Sequence, residues 1–351
     1  MLNLIDKSQV LQDSRVHMGE RYIKRFDAWT HLVVMLYAVI RRFDSLREIS
    51  TSLQAEAHKL KHLGILAPAA RSTLSDANKR RSQAVFADIY RDLYARYAQE
   101  LSSDSRSHKP PQWMKRLQII DSTTITLFSN LIFKGVGRHQ KNGKKKGGIK
   151  VHTVIHANEG VPSDVRFTSA ATHDSFMLSP AHLPSGAIVA LDRAYVDYEK
   201  FERMTQQGVI YVTKMKKGLN YDLLTDTMLQ TPEGTMEVRL QEVLFVKKRT
   251  AEEPISHRAR IITYVDVAKH KLVSLLSNDC ETDPRELIEI YRKRWLIELL
   301  FKQIKQNFPL KYFYGESANA IQIQIWVTLI ANLRPLKNGA DNKSLPFQDH
   351  F

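Results

Sequence analysis

Through the first third of the chain apolar residues recur at helical spacing, and from Leu117 onward they alternate or run together as in strands. Ala28 to Ile40 is one long apolar helix. The next is opened by Asp44-Ser45 with Glu48 as capping partner, and a third covers Ser75 to Tyr97. Short connections at Arg42-Phe43-Asp44 and Gly64 to Pro68 make residues 1–105 a compact helical unit, and the polar, proline-bearing stretch Ser102 to Pro111 reads as a linker. Lys79, Arg80 and Arg81 fall in the first turns of the third helix. There they serve either as a helix entering a DNA groove or as a solvated basic face.

Beyond the linker, Leu117-Gln-Ile-Ile-Asp121 is a short apolar strand whose C-terminal end delivers a carboxylate, with β-rich Thr123 to Phe128 behind it. Lys134 to Gly148 carries Arg138, Lys141, Lys144, Lys145 and Lys146 among glycines, and is expected as a mobile basic loop able to lie on a phosphate backbone. It lacks the Gly-Lys-Ser/Thr ending of a nucleotide-binding loop. Ile149 to His156 and Val161 to Thr168 pair antiparallel about the turn Ala157-Asn-Glu-Gly160. His152 and His156 suit packing or hydrogen bonding better than metal ligation, and Asp174 is expected to cap the helix that follows it.

Ala187-Ile-Val-Ala-Leu-Asp192 repeats the device of an apolar strand ending in an acid, and helix Tyr195 to Gln207 with strand Val209 to Thr213 completes a β-α-β unit. In open α/β sheets ligands collect beyond the carboxyl ends of the strands, so Asp121 and Asp192 face one crevice if their strands are neighbours. Turn capping is the plainer alternative for each. Val238 to Lys247, Arg258 to Val267 and Lys271 to Leu276 make residues 214–282 a β-rich insertion. Tyr291 to Lys305 then reads as one helix without Gly or Pro. At about 100° per residue, its Tyr291, Arg294, Glu298 and Lys305 fall on one stripe, so a single carboxylate is ringed by cations. Ordinary pairing of Glu298 with Arg294 and Lys302, four residues away on either side, is the plainer reading of that stripe. Ser317 to Leu333 is an apolar, amphipathic helix, and residues 334–351 are polar enough to be a disordered tail.

Composition adds a class of partner. With 52 basic and 37 acidic side chains the formal charge is +15, which suits a polyanion such as nucleic acid. The single Cys280 leaves no internal disulfide or thiolate zinc site and fits a reducing cytosol. The longest apolar run, Leu32 to Ile40, is too short to span a bilayer, so the expectation is a cytoplasmic protein with no membrane partner.

These residues together resemble a known family. Tyr291-x2-Arg294-x3-Glu298-x6-Lys305 matches, at every spacing, the Tyr-Arg-Glu-Lys signature of the insertion-sequence-four family of bacterial DDE transposases. Asp121-Ser-Thr-Thr and Asp192-Arg-Ala-Tyr195 are similar to the family's first and second acid motifs. The resemblance spans roughly residues 115 to 333 and implies an α/β, RNase H-like catalytic core (112–213 and 283–333) with a β-rich insertion, preceded by a helical DNA-binding domain. It implies that Asp121, Asp192 and Glu298 are catalytic and hold two Mg²⁺ ions, with Mn²⁺ able to substitute. Tyr291, Arg294 and Lys305 would then grip the phosphates of the transposon end, with Lys302, Arg193, Lys144, Lys145 and Lys146 as further DNA contacts.

The chemistry agrees with that donor set: cutting a phosphodiester in line requires an activated water or 3′-hydroxyl and a neutralised leaving oxygen, and hard cations prefer oxygen ligands. The implied activity is Mg²⁺-dependent strand cleavage and strand transfer on duplex DNA at terminal inverted repeats, by a homodimer near the nucleoid. A nuclease without strand transfer and a decayed copy that only binds DNA are the alternatives. Two places depart from the family: Ala194 stands where Gly is usual, and a polar tail replaces the helices expected beyond Leu333, the pattern of a shortened copy.

Overall fold

The structure, a computed structural model, describes residues 2–21, 23–102, 111–126, 137–141, 144–230, 237–247, 253–266, 270–307 and 312–333. Most of the expected linker, residues 127–136 and the expected tail 334–351 lie outside the described residues. Helices α1 (Lys7–Val16), α2 (Ala28–Arg41), α3 (Leu46–Ala55), α4 (Ala57–Leu60), α5 (Arg71–Arg80), α6 (Gln83–Ser102) and the short α7 (Gln112–Arg116) precede the first strand. Their starts follow from local chemistry. Asp27 caps α2 by accepting from the Thr30 amide at 2.7 Å. Ser45 accepts from the Glu48 amide at 3.2 Å while Glu48 accepts from the Asp44 amide at 2.9 Å, a reciprocal cap that opens α3.

The expected third helix is broken in two at Arg81, whose backbone is extended (φ −71°, ψ 128°). The cause is long-range. Arg81 turns inward, is 3% exposed, and donates to His31 Nδ1 at 2.9 Å and to the Phe26 carbonyl at 3.0 Å, with Glu20 at 3.7 Å. It is therefore a core cation and not a groove-reading one; Lys79 and Arg80 remain exposed at the C-terminal end of α5. His31 Nε2 bonds Asn78 Oδ1 at 2.7 Å, so its two partners specify the neutral ring with the proton on Nε2. Burial, reinforced by Arg81, lowers its pKa to about 3. An unfolded histidine titrates near 6.5, so only the unfolded chain gains this proton between the two values. Stability from this site is fully present above about pH 6.5 and falls by about 1.4 kcal/mol per pH unit below it. Urea titrations from pH 7 to 4 should show that extra slope in the native protein and not in His31→Gln; parallel curves would contradict the assignment.

After α7 come β1 (Leu117–Thr126), β2 (Gly137–Lys141), β3 (Lys144–His156), β4 (Pro162–Ser169), β5 (Ile188–Leu191), α8 (Tyr198–Gln206), β6 (Ile210–Lys214), β7 (Asp222–Gln230), β8 (Glu237–Lys247), β9 (Ile255–Asp266) and β10 (Lys271–Ser277). Helices α9 (Pro284–Lys293), α10 (Trp295–Asn307) and α11 (Ala318–Asn332) close the described chain. The strands form one 10-stranded sheet among the described residues, ordered β2-β3-β1-β5-β6-β10-β9-β8-β7 with β4 on β3. Within it, β4-β3-β1-β5-β6, with β3 antiparallel and β5 and β6 parallel to the rest, is the order of an RNase H-like core. The β-rich stretch β7–β10 continues this same sheet through the β6–β10 pairing.

Side-chain alternation divides the sheet's two faces. Leu117, Ile119, Ile188 and Ala190 join the core beneath α9, α10, α11 and the N-terminal helices; Ile120, Val189 and Leu191 join a second core with Phe201 and Met204 of α8. Each strand is thus buried on both faces, which is why its sequence reads as an unbroken apolar run. The turn between β3 and β4 needs a left-handed residue, and Gly160 supplies it at φ +69°.

Three further expectations are corrected. The basic stretch before Ile149 is, at 137–141 and 144–148, a hairpin that pairs Gly137 with Gly148 and Lys141 with Lys144. The helix expected over 291–305 is jointed at Arg294, where Arg294 N bonds Tyr291 O at 3.0 Å and Ile297 N bonds Arg294 O at 3.3 Å, the tighter i→i−3 pattern. That joint lets α9 follow β5 and β6 while α10 follows β1. Finally, α11 is buried on all sides and not along one stripe: it packs against α2 and α6, with Ile321, Gln324, Ile325, Thr328 and Leu329 all inside. Gln324 is satisfied there by the Tyr314 amide and the Tyr312 carbonyl, both at 2.9 Å.

Candidate active site

Strand pairing brings the two strand-borne acids together. Parallel β1 and β5 are in register from Leu117–Ile188 to Ile120–Leu191, and there the pairing stops. Asp121 and Asp192 are each the next residue, at the opening between the strands. Asp121 is not at the end of its strand, however. It lies midway along β1, still paired with Thr153 of β3. By alternation Asp121 shares a face with Ile119, and Asp192 with Ala190, so both point toward the face covered by α9 and α10. On α10, Ile297, Leu300 and Ile304 are buried, and this turns Glu298 toward the same opening.

One guanidinium joins the far-apart segments. Arg294 Nη1 lies 3.3 Å from Asp121 Oδ2, its Nη2 pairs with Glu298 Oε1, and its side chain is 14% exposed. The Tyr291 ring sits 5.8 Å from the guanidinium carbon. Burial pushes the Asp121 carboxyl up to about 6 against the pull of the Ser122 amide and Arg294, and the charges of Asp192 and Glu298 push the same way. Asp192 also acts electrostatically on Tyr291, which places it among these groups, although one of its oxygens caps the turn Arg193–Tyr195 through the Ala194 amide at 3.0 Å. An open crevice of about 670 Å³ is lined by Asp121, Ser122, Glu298, Phe301, Lys302, Lys305 and Gln306. Lys305 Nζ donates to Thr123 Oγ1 at 2.6 Å on its wall.

The donor chemistry fits a hard divalent cation. The acidic groups here offer carboxylate oxygens, and a positive charge, the Arg294 guanidinium, already lies between those of Asp121 and Glu298. Among the described residues no three His, Cys, Asp or Glu side chains form a ready-made cage. Mg²⁺ sites commonly draw one or two carboxylates per ion and fill the remaining positions with water and substrate phosphate.

The expected site residues thus separate into groups. Asp121, Glu298, Arg294, Lys302 and Lys305 are gathered at the crevice, with Asp192 and Tyr291 beside it. Arg193 is exposed on the turn after Asp192. Lys144, Lys145 and Lys146 lie on the β2–β3 hairpin. Asp174 does not cap the turn that follows it; His173 does, accepting from the Ser175 amide at 3.3 Å. The Asp174 carboxylate instead receives Ser122 Oγ at 2.5 Å and Lys150 Nζ at 3.0 Å. Those contacts hold it below its ordinary range although burial opposes them. Sequence reasoning missed this group, because no periodicity or spacing links a loop aspartate to a serine on another strand.

Comparisons with known proteins bear on the family. Residues 112–333, more than half of the chain, match a family model described as the transposase DDE domain. Residues 1–66 match a domain of unknown function, DUF4372. A Sinorhizobium fredii protein bearing the name transposase y4zB is 27% identical over 74% of this chain and 68% of its own length. A Synechocystis protein named for the insertion sequence element IS4SA is 24% identical over 75% of this chain and 70% of its own. The cryo-EM structure of a piggyBac transposase synaptic complex with hairpin DNA aligns with 94% of this chain and 74% of its own at 10% identity and a TM-score of 0.40. Among the described residues no helix is long and apolar enough to cross a membrane. With its acids gathered at the mouth of an RNase H-like sheet and the family model covering the whole of that sheet, the chain belongs to the DDE transposases.

Proposed function

We propose that the crevice between β1 and α10 is where this transposase cuts DNA at the ends of an insertion sequence and joins them to a target. The observation that carries the reading is Arg294, whose guanidinium spans Asp121 on β1 and Glu298 on α10, residues separated by 173 positions from the arginine in one case and 4 in the other. Asp121, Asp192 and Glu298 would hold two Mg²⁺ ions, or Mn²⁺ in their place. Such ions, when bound, activate the attacking water or 3′-hydroxyl and neutralise the leaving oxygen.

The chain's own side chains supply the rest. A backbone phosphate entering the crevice offers the planar Arg294 guanidinium two acceptor oxygens in exchange for its carboxylates, and the Tyr291 ring keeps the guanidinium aligned. Lys302 and Lys305 line the same crevice and fit neighbouring phosphates. Residues 1–105 would add binding through exposed Lys79 and Arg80, and a homodimer in the cytoplasm, at the nucleoid, would hold two ends at once.

Incubating the protein with Mg²⁺ and DNA that carries the flanking inverted repeats beside a target plasmid tests this reading. Nicked ends and joined products are expected. Cleavage without joining would reduce the protein to a nuclease, and neither product would leave a DNA-binding remnant. Lys302→Ala and Lys305→Ala should each weaken end binding and lower the slope of log affinity against log salt by about one, the signature of a lost phosphate contact. Unchanged slopes in both variants would remove these lysines from the DNA path.

A further inference from the structure

Among the described residues, the half of β1 that carries Asp121 has a strand neighbour on one side only. Strand β5 pairs with Leu117 to Ile120, so from Asp121 to Thr126 β3 is the one strand paired with β1 among the described residues. Behind this stretch, Ser122, which also borders the crevice, shares the α8 side of the sheet with Ile120 and, on β3, with its partner His152 and with Lys150 opposite Thr124. There Asp174 takes the Ser122 hydroxyl at 2.5 Å and the Lys150 ammonium at 3.0 Å, while Lys150 also donates to the Thr172 carbonyl at 2.6 Å. The 3-10 turn Asp174–Met177 touches both β1 and the turn Arg193–Tyr195 that follows Asp192. It is tied in turn to α8 by Lys200 Nζ on the Ser175 carbonyl.

Two observations connect this cluster to the acids on the other face. The Ser122 amide donates to Asp121 Oδ1 at 2.8 Å, so whatever fixes the Ser122 residue fixes one oxygen of Asp121. The fully buried Tyr195 hydroxyl feels the charges of Asp121, Asp174 and Asp192 together, and they add to the effect of burial in keeping it protonated. Asp174 therefore lies directly behind the pair of strand-borne acids.

We infer that Asp174, braced by Lys150, is a positioning residue: by holding the Ser122 hydroxyl it locks the half of β1 beyond the β5 pairing and aims the Asp121 carboxylate into the crevice. The inference rests on Asp121 being a working acid of the proposed site. It differs from an ordinary buried ion pair in routing its effect through one hydroxyl, and Ser122→Thr keeps that hydroxyl whereas Ser122→Ala removes it.

The test compares the full-length protein with Ser122→Ala, Ser122→Thr, Asp174→Ala, Asp174→Asn and the Ser122→Ala/Asp174→Ala double variant. Three quantities are read: the single-turnover rate of end cleavage in Mg²⁺, end binding in EDTA, and Mn²⁺ affinity from the free-ion EPR signal. Ser122→Ala and Asp174→Ala should each cut the cleavage rate and Mn²⁺ affinity by about 10- to 100-fold, the usual cost of losing support behind a metal ligand, with end binding within about twofold. The double variant should be no worse than the worse single one, because both break the same link. Ser122→Thr should recover most of the rate. Asp174→Asn, which keeps an acceptor for the hydroxyl and loses the charge toward Lys150, should fall between.

Multiplicative losses in the double variant, a full rate in Ser122→Ala, or losses in end binding and melting temperature that parallel the rate would overturn the inference while leaving the site reading intact. A native protein that neither cleaves nor binds Mn²⁺ through Asp121 would sink the site reading, and with it the role given to Asp174. Mn²⁺ binding without cleavage still decides the inference through the Mn²⁺ affinities alone.

Discussion

Asp121→Asn is expected to abolish end cleavage and to raise the melting temperature at the same time. Asparagine keeps the shape and the acceptor for the Ser122 amide but removes the charge that a divalent ion needs. If the lost metal interaction is about 4 kcal/mol of transition-state stabilisation, the rate falls by at least ~10³-fold. End binding should persist, because Arg294, Lys302 and Lys305 are untouched. The stability gain has a separate cause. Burial and the neighbouring Asp192 and Glu298 charges hold the folded-state pKa at about 6, above its ordinary value of 3.8. At pH 7 the folded protein therefore carries a carboxylate it would rather neutralise, and this cost fades as pH falls through 6. The neutral amide removes it at all pH values. Calorimetry beside a cleavage assay reads both effects, and a variant that cuts at the native rate would refute the role of Asp121. Such opposition of stability and activity is expected where like charges are gathered for a ligand.

The second large effect concerns Arg81→Met, which should destabilise the fold by about 3 kcal/mol, the range for removing one partner from a buried charged cluster. Arg81 bridges α5 and α2 through His31 and the Phe26 carbonyl, and its own carbonyl accepts from Asn319 of the C-terminal α11 segment at 2.8 Å. Asn78 of the same cluster donates to the Tyr314 carbonyl at 2.9 Å. The helices before the sheet and the helix after it are thus sewn together by one buried polar network, and its loss should loosen both ends of the chain in a single transition. Lys79→Ala and Arg80→Ala should leave the unfolding midpoint within about 0.5 kcal/mol of native, as surface substitutions do. Equal midpoints for all three variants in urea would contradict the structural assignment of Arg81.

How legible these features were depended on the range of the interactions that cause them. Asp121 and Asp192 stand out in the sequence because each ends an apolar run, and a buried strand seldom carries a carboxylate without a task. Their registry, one residue past the last β1–β5 pair, follows from pairing that no single segment encodes. The resemblance to the insertion-sequence-four family supplied Glu298, whose stripe on the helix also fits a plain ion pair with Arg294. The pair with Arg294 forms, and the same guanidinium reaches Asp121.

Other elements were hidden for definite reasons. The run Lys79-Arg80-Arg81-Ser82 contains nothing that stops a helix; a histidine 50 residues away does so. In α11, Gln324 and Thr328 recur at i and i+4 like a wet stripe, yet both are core residues: the returning backbone of Tyr312 and Tyr314 satisfies Gln324, and the Thr328 hydroxyl donates to the Gln324 carbonyl. Lysines and glycines masked the two-residue period of the β2–β3 hairpin. Asp174 was invisible because its partner Ser122 is 52 residues away on another element.

The central claim is that Asp121, Asp192 and Glu298 support one metal-dependent cleavage site. Its most direct measurement is anomalous diffraction at the manganese edge from crystals of the protein with an inverted-repeat DNA end and Mn²⁺. The account predicts anomalous peaks within bonding distance of Asp121, Asp192 and Glu298 and beside a backbone phosphate. Peaks held by other residues, or three carboxylates that share no ion, would contradict it.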